Sequence, residues 1–94
     1  MKQKFDKIIH QLAYAGIPLA LAQVTNRERN VIILRQAIIN LLYREMGMTQ
    51  CDIAELLHRA QPTINHFIKK HQYDYDFYED YRQTYDAYKK NLSL

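Results

Sequence analysis

Four histidines and one cysteine are the side chains here best equipped for metal or nucleophilic chemistry, and their spacing argues against both. His10, His58, His66 and His71 contain no i, i+4 pair that would offer two imidazoles to a metal from one helix face. Cys51 has no second ligand in a metal-like pattern. It also has no evident base to draw off its proton, so on a predicted helix it reads as a small core residue. No metal, cofactor or catalysis is expected. A different chemistry is offered by "TQCDIAELLHRAQPTINHFIKK", residues 49 to 70, which ends in Gln61, Thr63, Asn65, His66, Lys69 and Lys70. Amides and hydroxyls hydrogen-bond base edges and lysines meet phosphates, so this inventory suits a helix lying in a DNA major groove. Upstream, "RERNVIILRQ" adds Arg27, Arg29, Arg35 and Gln36.

Two helices must position that set, because Pro62 interrupts the periodicity and is tolerated only near a helix start. Thr49 can cap the first of them with Asp52 three residues on, and Met48 and Ile53 can staple it. Ile53, Ala54, Leu56 and Leu57 give its apolar side. "HRAQ" then turns, and Pro62 opens a second helix holding Ile64, Phe67 and Ile68. This is the spacing of a helix-turn-helix, in which a small residue at Ala54 allows close approach and Ile64 fills the angle. The bland alternative is a helical hairpin with a solvated polar face.

The remaining elements are also helical. Phe5, Ile8, Ile9, Leu12 and Ala13 share one face of a first helix that "GIP" at 16 to 18 stops, and "LALAQVT" packs as a short turn of helix or an ordered loop. Val31, Leu34, Ile38, Leu41 and Leu42 mark a long core helix ended by Gly47. With 94 residues, 48% of them hydrophobic, two Gly, two Pro and no Trp, the composition fits one small helical domain. A single cysteine fits a reducing compartment, the cytoplasm by default, and no stretch approaches the roughly 20 apolar residues of a membrane span. The net charge of +3 is uneven: residues 1 to 71 carry +5 and residues 72 to 94 carry −2. The basic part suggests a polyanion partner.

The arginine pattern R-x-R-x5-RQ at Arg27, Arg29, Arg35 and Gln36, followed by "RAQPTI" at 59 to 64, resembles the C-terminal DNA-binding domain of the bacterial replication initiator DnaA. That family carries the same arginine pattern and an R-D-H-T-T-V signature, matched here at Arg59 and Thr63 with Ile64 for Val. The likeness spans roughly residues 5 to 72. It implies that Arg27 reaches a minor groove from a basic loop, and that Arg35 and Gln36 hold phosphates. Thr63 would touch a base or its methyl group, with Arg59 supporting the major-groove contacts. Ala60 and Gln61 stand where the family has Asp and His, which implies a different target sequence. No G-x4-GK-[ST] phosphate loop occurs in the chain, so no ATPase is expected.

Most of the eight tyrosines lie in the last 23 residues, where Tyr78, Tyr81, Tyr85, Tyr88 and Leu92 recur at steps of three and four. This stripe packs a last helix against helix one, or else forms a surface for a homodimer or protein partner. The sequence thus predicts an all-α protein of four to five helices. Residues 1 to 94 form one domain, with the resembling part at 5 to 72 and a tyrosine-rich helix at 73 to 94. It predicts double-stranded DNA as partner and a role in regulating transcription or replication, with a protein adaptor acting through the tyrosine helix as the alternative.

Overall fold

The computed structural model describes residues 4 to 92, and every regular element in them is helical. In order these are α1 (Asp6–Tyr14), α2 (Leu19–Gln23), α3 (Arg29–Asn40), a π-helical turn (Leu41–Glu45), α4 (Gln50–Leu57), α5 (Gln61–Phe77) and α6 (Glu79–Leu92). The α-helices number six rather than four or five for two reasons. "LALAQ" closes into a helix of its own, and the chain breaks at Tyr78, where φ −119° and ψ 105° leave helical space. α5 therefore runs five residues past the boundary drawn at 72, and the last helix begins at Glu79.

Local signals set most of the ends. Gly16 (φ +73°) terminates α1 with Ile17 N–H donating to the Leu12 carbonyl at 2.9 Å, and Gly47 (φ +72°) follows the π turn. Thr49 Oγ1 accepts from Asp52 N–H at 3.1 Å, while Met48 and Ile53 are both buried at the start of α4. Asp52 makes an ion pair with Lys4 at 3.1 Å.

α3 is the axis of the fold. Residues 35 to 42 are buried without interruption, so the helix is enclosed all round by α2, α5 and α6. The π turn continues it, with Met46 N–H reaching back to the Leu41 carbonyl at 3.1 Å. Leu12, Ile17, Ile38, Leu41, Leu42, Ile53, Leu57 and Ile64 fill the core. Two expected core positions are corrected: Ala13 and Cys51 are exposed, because the buried faces of α1 and α4 are narrower than their apolar content.

The tyrosine stripe also needs correction. Tyr81 and Tyr85 are 1% and 4% exposed, so they belong to the core and offer nothing to a partner. Their helix packs chiefly on α3, α5 and the π turn rather than on α1. The Tyr81 hydroxyl lies 2.7 Å from His71 Nδ1, and the Tyr85 hydroxyl donates to Glu45 Oε2 at 2.9 Å. Burial raises the proton affinity of both phenols, so they stay neutral donors. Tyr88 is half-buried against the same core, and Tyr78 is exposed.

Candidate nucleic-acid interface

α5 starts abruptly. Ala60, in extended backbone, precedes it without a side-chain cap, Gln61 is its first residue and Pro62 its second, one place later than a Pro at the first position. The missing Pro62 N–H is one that a helix start leaves unpaired in any case. Ile64 and Ile68 are buried, and they fix the rotation of the helix about its axis. Gln61, His66 and Lys69 then face solvent, with Thr63 and Asn65 half-buried on the shoulders. Gln61, Asn65 and Lys69 follow at i, i+4 and i+8, so they form one row. Among the described residues, Gln61, Thr63, Asn65 and Lys69 have no side-chain hydrogen bond or ion pair. Lys70 is exposed but lies 3.7 Å from the Asp74 carboxylate.

The turn that delivers α5 is three residues long, and His58 sits in it at φ 57°, ψ 46°. This left-handed residue lets Arg59 N–H reach back to the Ala54 carbonyl at 3.0 Å and closes α4. The half-buried Ala54 packs against the core cluster, and Ile64 is fully buried within it.

Arg35, expected at a phosphate, and Arg59, expected to support the major-groove contacts, are instead structural. Arg35 is 6% exposed and donates from Nε to the Ala22 carbonyl at 3.3 Å. Its Nη2 donates to the Val24 and Asn26 carbonyls at 2.6 and 2.9 Å. Burial, followed by the nearby Arg59, lowers its proton affinity, yet a guanidinium remains charged. Arg59, half-buried, donates to the Gln23 carbonyl at 3.3 Å and to the Val24 carbonyl. Gln23 returns a bond to the Leu56 carbonyl at 2.8 Å. The loop of residues 24 to 28 is thereby clamped to the end of α4, and Arg27 stands exposed on it without an ion pair.

Gln36 is corrected for the same reason as Arg35. It is 4% exposed and its Nε2 donates to Asp74 Oδ2 at 2.8 Å, which ties α3 to α5. Arg29 is exposed but committed: its Nε and Nη2 donate to the two Asp80 oxygens at 3.2 and 3.3 Å, and its guanidinium lies 5.1 Å from the Tyr78 ring. The expected set therefore divides. Arg27, Gln61, His66 and Lys69 are exposed and Thr63 and Asn65 half-exposed, Arg29 and Lys70 are exposed but paired with Asp80 and Asp74, and Arg35, Gln36 and Arg59 hold the chain together.

Sequence reasoning passed over Tyr73 and Phe77, which are 59% and 68% exposed with ring centroids 4.7 Å apart. The signal was present: Ile64, Ile68, His71 and Tyr75 continue the buried stripe of α5, and neither aromatic falls on it. Among the described residues no group of three or more His, Cys, Asp or Glu is arranged to hold a metal, and no helix is long and apolar enough to cross a membrane. Comparison of the chain with protein-family models, curated proteins and solved structures gives no match.

Proposed function

We propose that this protein binds double-stranded DNA, with α4, its turn and α5 acting as a helix-turn-helix and the first turns of α5 entering the major groove. The observation that carries this is the partner-free pair Gln61 and Asn65, one helical turn apart at an uncapped helix start, in a chain whose clamped loop also presents an unpaired Arg27. Side-chain amides left without internal partners are equipped to read base edges, and a free arginine to displace phosphate counterions. The resemblance to the DNA-binding domain of DnaA points the same way at Arg27 and Thr63. A regulator of transcription or replication working in the cytoplasm fits these features and the single unpaired cysteine.

The test is selection of bound duplexes from a random pool, followed by titration at several salt concentrations. The expected result is an enriched sequence whose log affinity falls steeply with log salt, by about one unit of slope per phosphate neutralised. Absence of duplex binding at low salt would overturn the reading. A second reading, a protein adaptor, is favoured by exposed Tyr73, Phe77 and Tyr78, and salt-insensitive capture of a protein would support it.

A further inference from the structure

α5 changes character along its length. Its outer face carries Lys69 before Tyr73, then Asp76 and Phe77, with Tyr78 just beyond. Tyr73, Phe77 and Tyr78 form one exposed aromatic patch, Tyr73 being 4.7 Å from Phe77 and 6.2 Å from Tyr78 between centroids. A contiguous exposed cluster of large rings is a contact surface in search of a cover. Two charges of opposite sign lie along it, Lys69 before it and Asp76 within it. Lys69 makes no ion pair, and Asp76 accepts only from the neutral Gln72, at 3.1 and 3.2 Å. Lys69 and Asp76 are seven residues apart, two helical turns, so they project from the same side with Tyr73 between them.

A face with a cation at Lys69, a ring at Tyr73 and an anion at Asp76, followed by the rings of Phe77 and Tyr78, sets opposite charges together when turned end for end on a copy of itself. We propose that it is covered by a second copy of this chain, the two α5 helices crossing antiparallel about a two-fold axis midway between Gln72 and Tyr73. That operation sets Lys69 of each copy against Asp76 of the other and places Phe77 beside the aliphatic stem of the opposite Lys69. Opposite charges then meet twice and the aromatic patch leaves water.

The crossing has a metrical consequence, which rests on the DNA-binding reading although the dimer itself does not. Gln61 lies eleven and a half residues from the crossing point. At about 1.5 Å per residue, the two Gln61 ends stand roughly 34 Å apart. Successive major grooves on one face of B-DNA are about 34 to 36 Å apart. The dimer presents its two polar helix starts at that spacing.

Sedimentation velocity of the full chain across the micromolar range tests the dimer without DNA, with helix content checked for each variant. The wild type is expected to show a concentration-dependent dimer. Lys69→Glu and Asp76→Lys should each weaken it about tenfold or more, since each sets like charges together twice. The combined Lys69→Glu/Asp76→Lys protein should recover it, because the pairs re-form with their signs exchanged. A wild type that stays monomeric, or a combined variant no tighter than the single ones, overturns the proposal. Duplexes carrying two selected sites one helical turn apart should bind cooperatively, and a half-turn shift should abolish this. Cooperativity indifferent to that shift overturns the spacing. A dimer with the exchange pattern but no DNA binding refutes only the DNA reading, whereas a monomer that binds single sites refutes only the dimer.

Discussion

Arg35 and Arg59 converge on one backbone oxygen: the Val24 carbonyl accepts from both guanidiniums. Neither arginine has a carboxylate within ion-pair distance among the described residues, so peptide dipoles alone compensate two neighbouring charges. The strength of such an arrangement lies in the number of carbonyls it satisfies, three for Arg35 and four for Arg59. Loop 24 to 28 has no regular structure of its own, and this pair gives it a fixed position.

Replacing Arg35 by Met keeps much of the buried volume and removes its donors to the Ala22, Val24 and Asn26 carbonyls. Urea denaturation should show a loss of about 2 to 4 kcal/mol, the scale for breaking a buried charged hydrogen-bond network. Arg35→Lys should recover little, because one ammonium cannot reproduce the planar fork. A variant as stable as the parent would show that the clamp does not hold the fold.

His58 occupies left-handed backbone space that costs a side chain about 1 kcal/mol and costs glycine almost nothing. His58→Gly should therefore raise the thermal midpoint, and His58→Val should lower it. The opposite order would place His58 in ordinary backbone space.

His71 is buried against the Tyr75, Tyr81 and Tyr85 rings, and its pKa is pushed down to about 4, first by burial and then by the nearby Arg44. Asp74, Glu45 and Asp76 oppose the shift without cancelling it. Below the unfolded value of about 6.5 the unfolded chain takes up a proton that the folded chain refuses, so stability falls as pH falls. The loss should begin near pH 6.5, flatten near pH 4 and amount to about 3 kcal/mol. Denaturation at stepped pH measures it, and His71→Gln should flatten that part of the profile.

The proposed DNA reading makes different predictions for a phosphate-facing and a base-facing side chain. Arg27→Ala should weaken binding to all duplexes and reduce the salt slope by about one unit. Gln61→Ala should leave the slope alone and relax preference at one base pair by about 1 to 3 kcal/mol. Parental binding by both variants would remove these residues from the interface.

What the sequence made legible was local. The Thr49 cap, the Gly47 stop, the Met48 and Ile53 pair and Pro62 in a first helical turn each depend on residues a few positions apart, and all four stand in the structure. Arg35 and Gln36 were misjudged because their fate depends on partners 9 to 38 residues away, at Asn26 and Asp74. An arginine beside a basic loop looks the same in sequence whether it faces phosphate or carbonyl. Tyr81 and Tyr85 were ambiguous for a related reason: periodicity finds an apolar stripe, and only tertiary packing decides whether the protein's own core covers it.

The π turn at Leu41–Glu45 is equivalent to an α-helix into which one extra residue has been inserted. The core helix therefore carries a built-in length polymorphism. Removing the exposed Tyr43 should let the register return to an ordinary α-turn, leaving Arg29–Asn40 on their faces and handing the slack to Gly47. A single-codon deletion at Tyr43 is therefore expected to be absorbed at the end of this core helix, whereas the same deletion one turn earlier would rotate the residues after it out of the core; urea denaturation of the two deletion variants measures the difference.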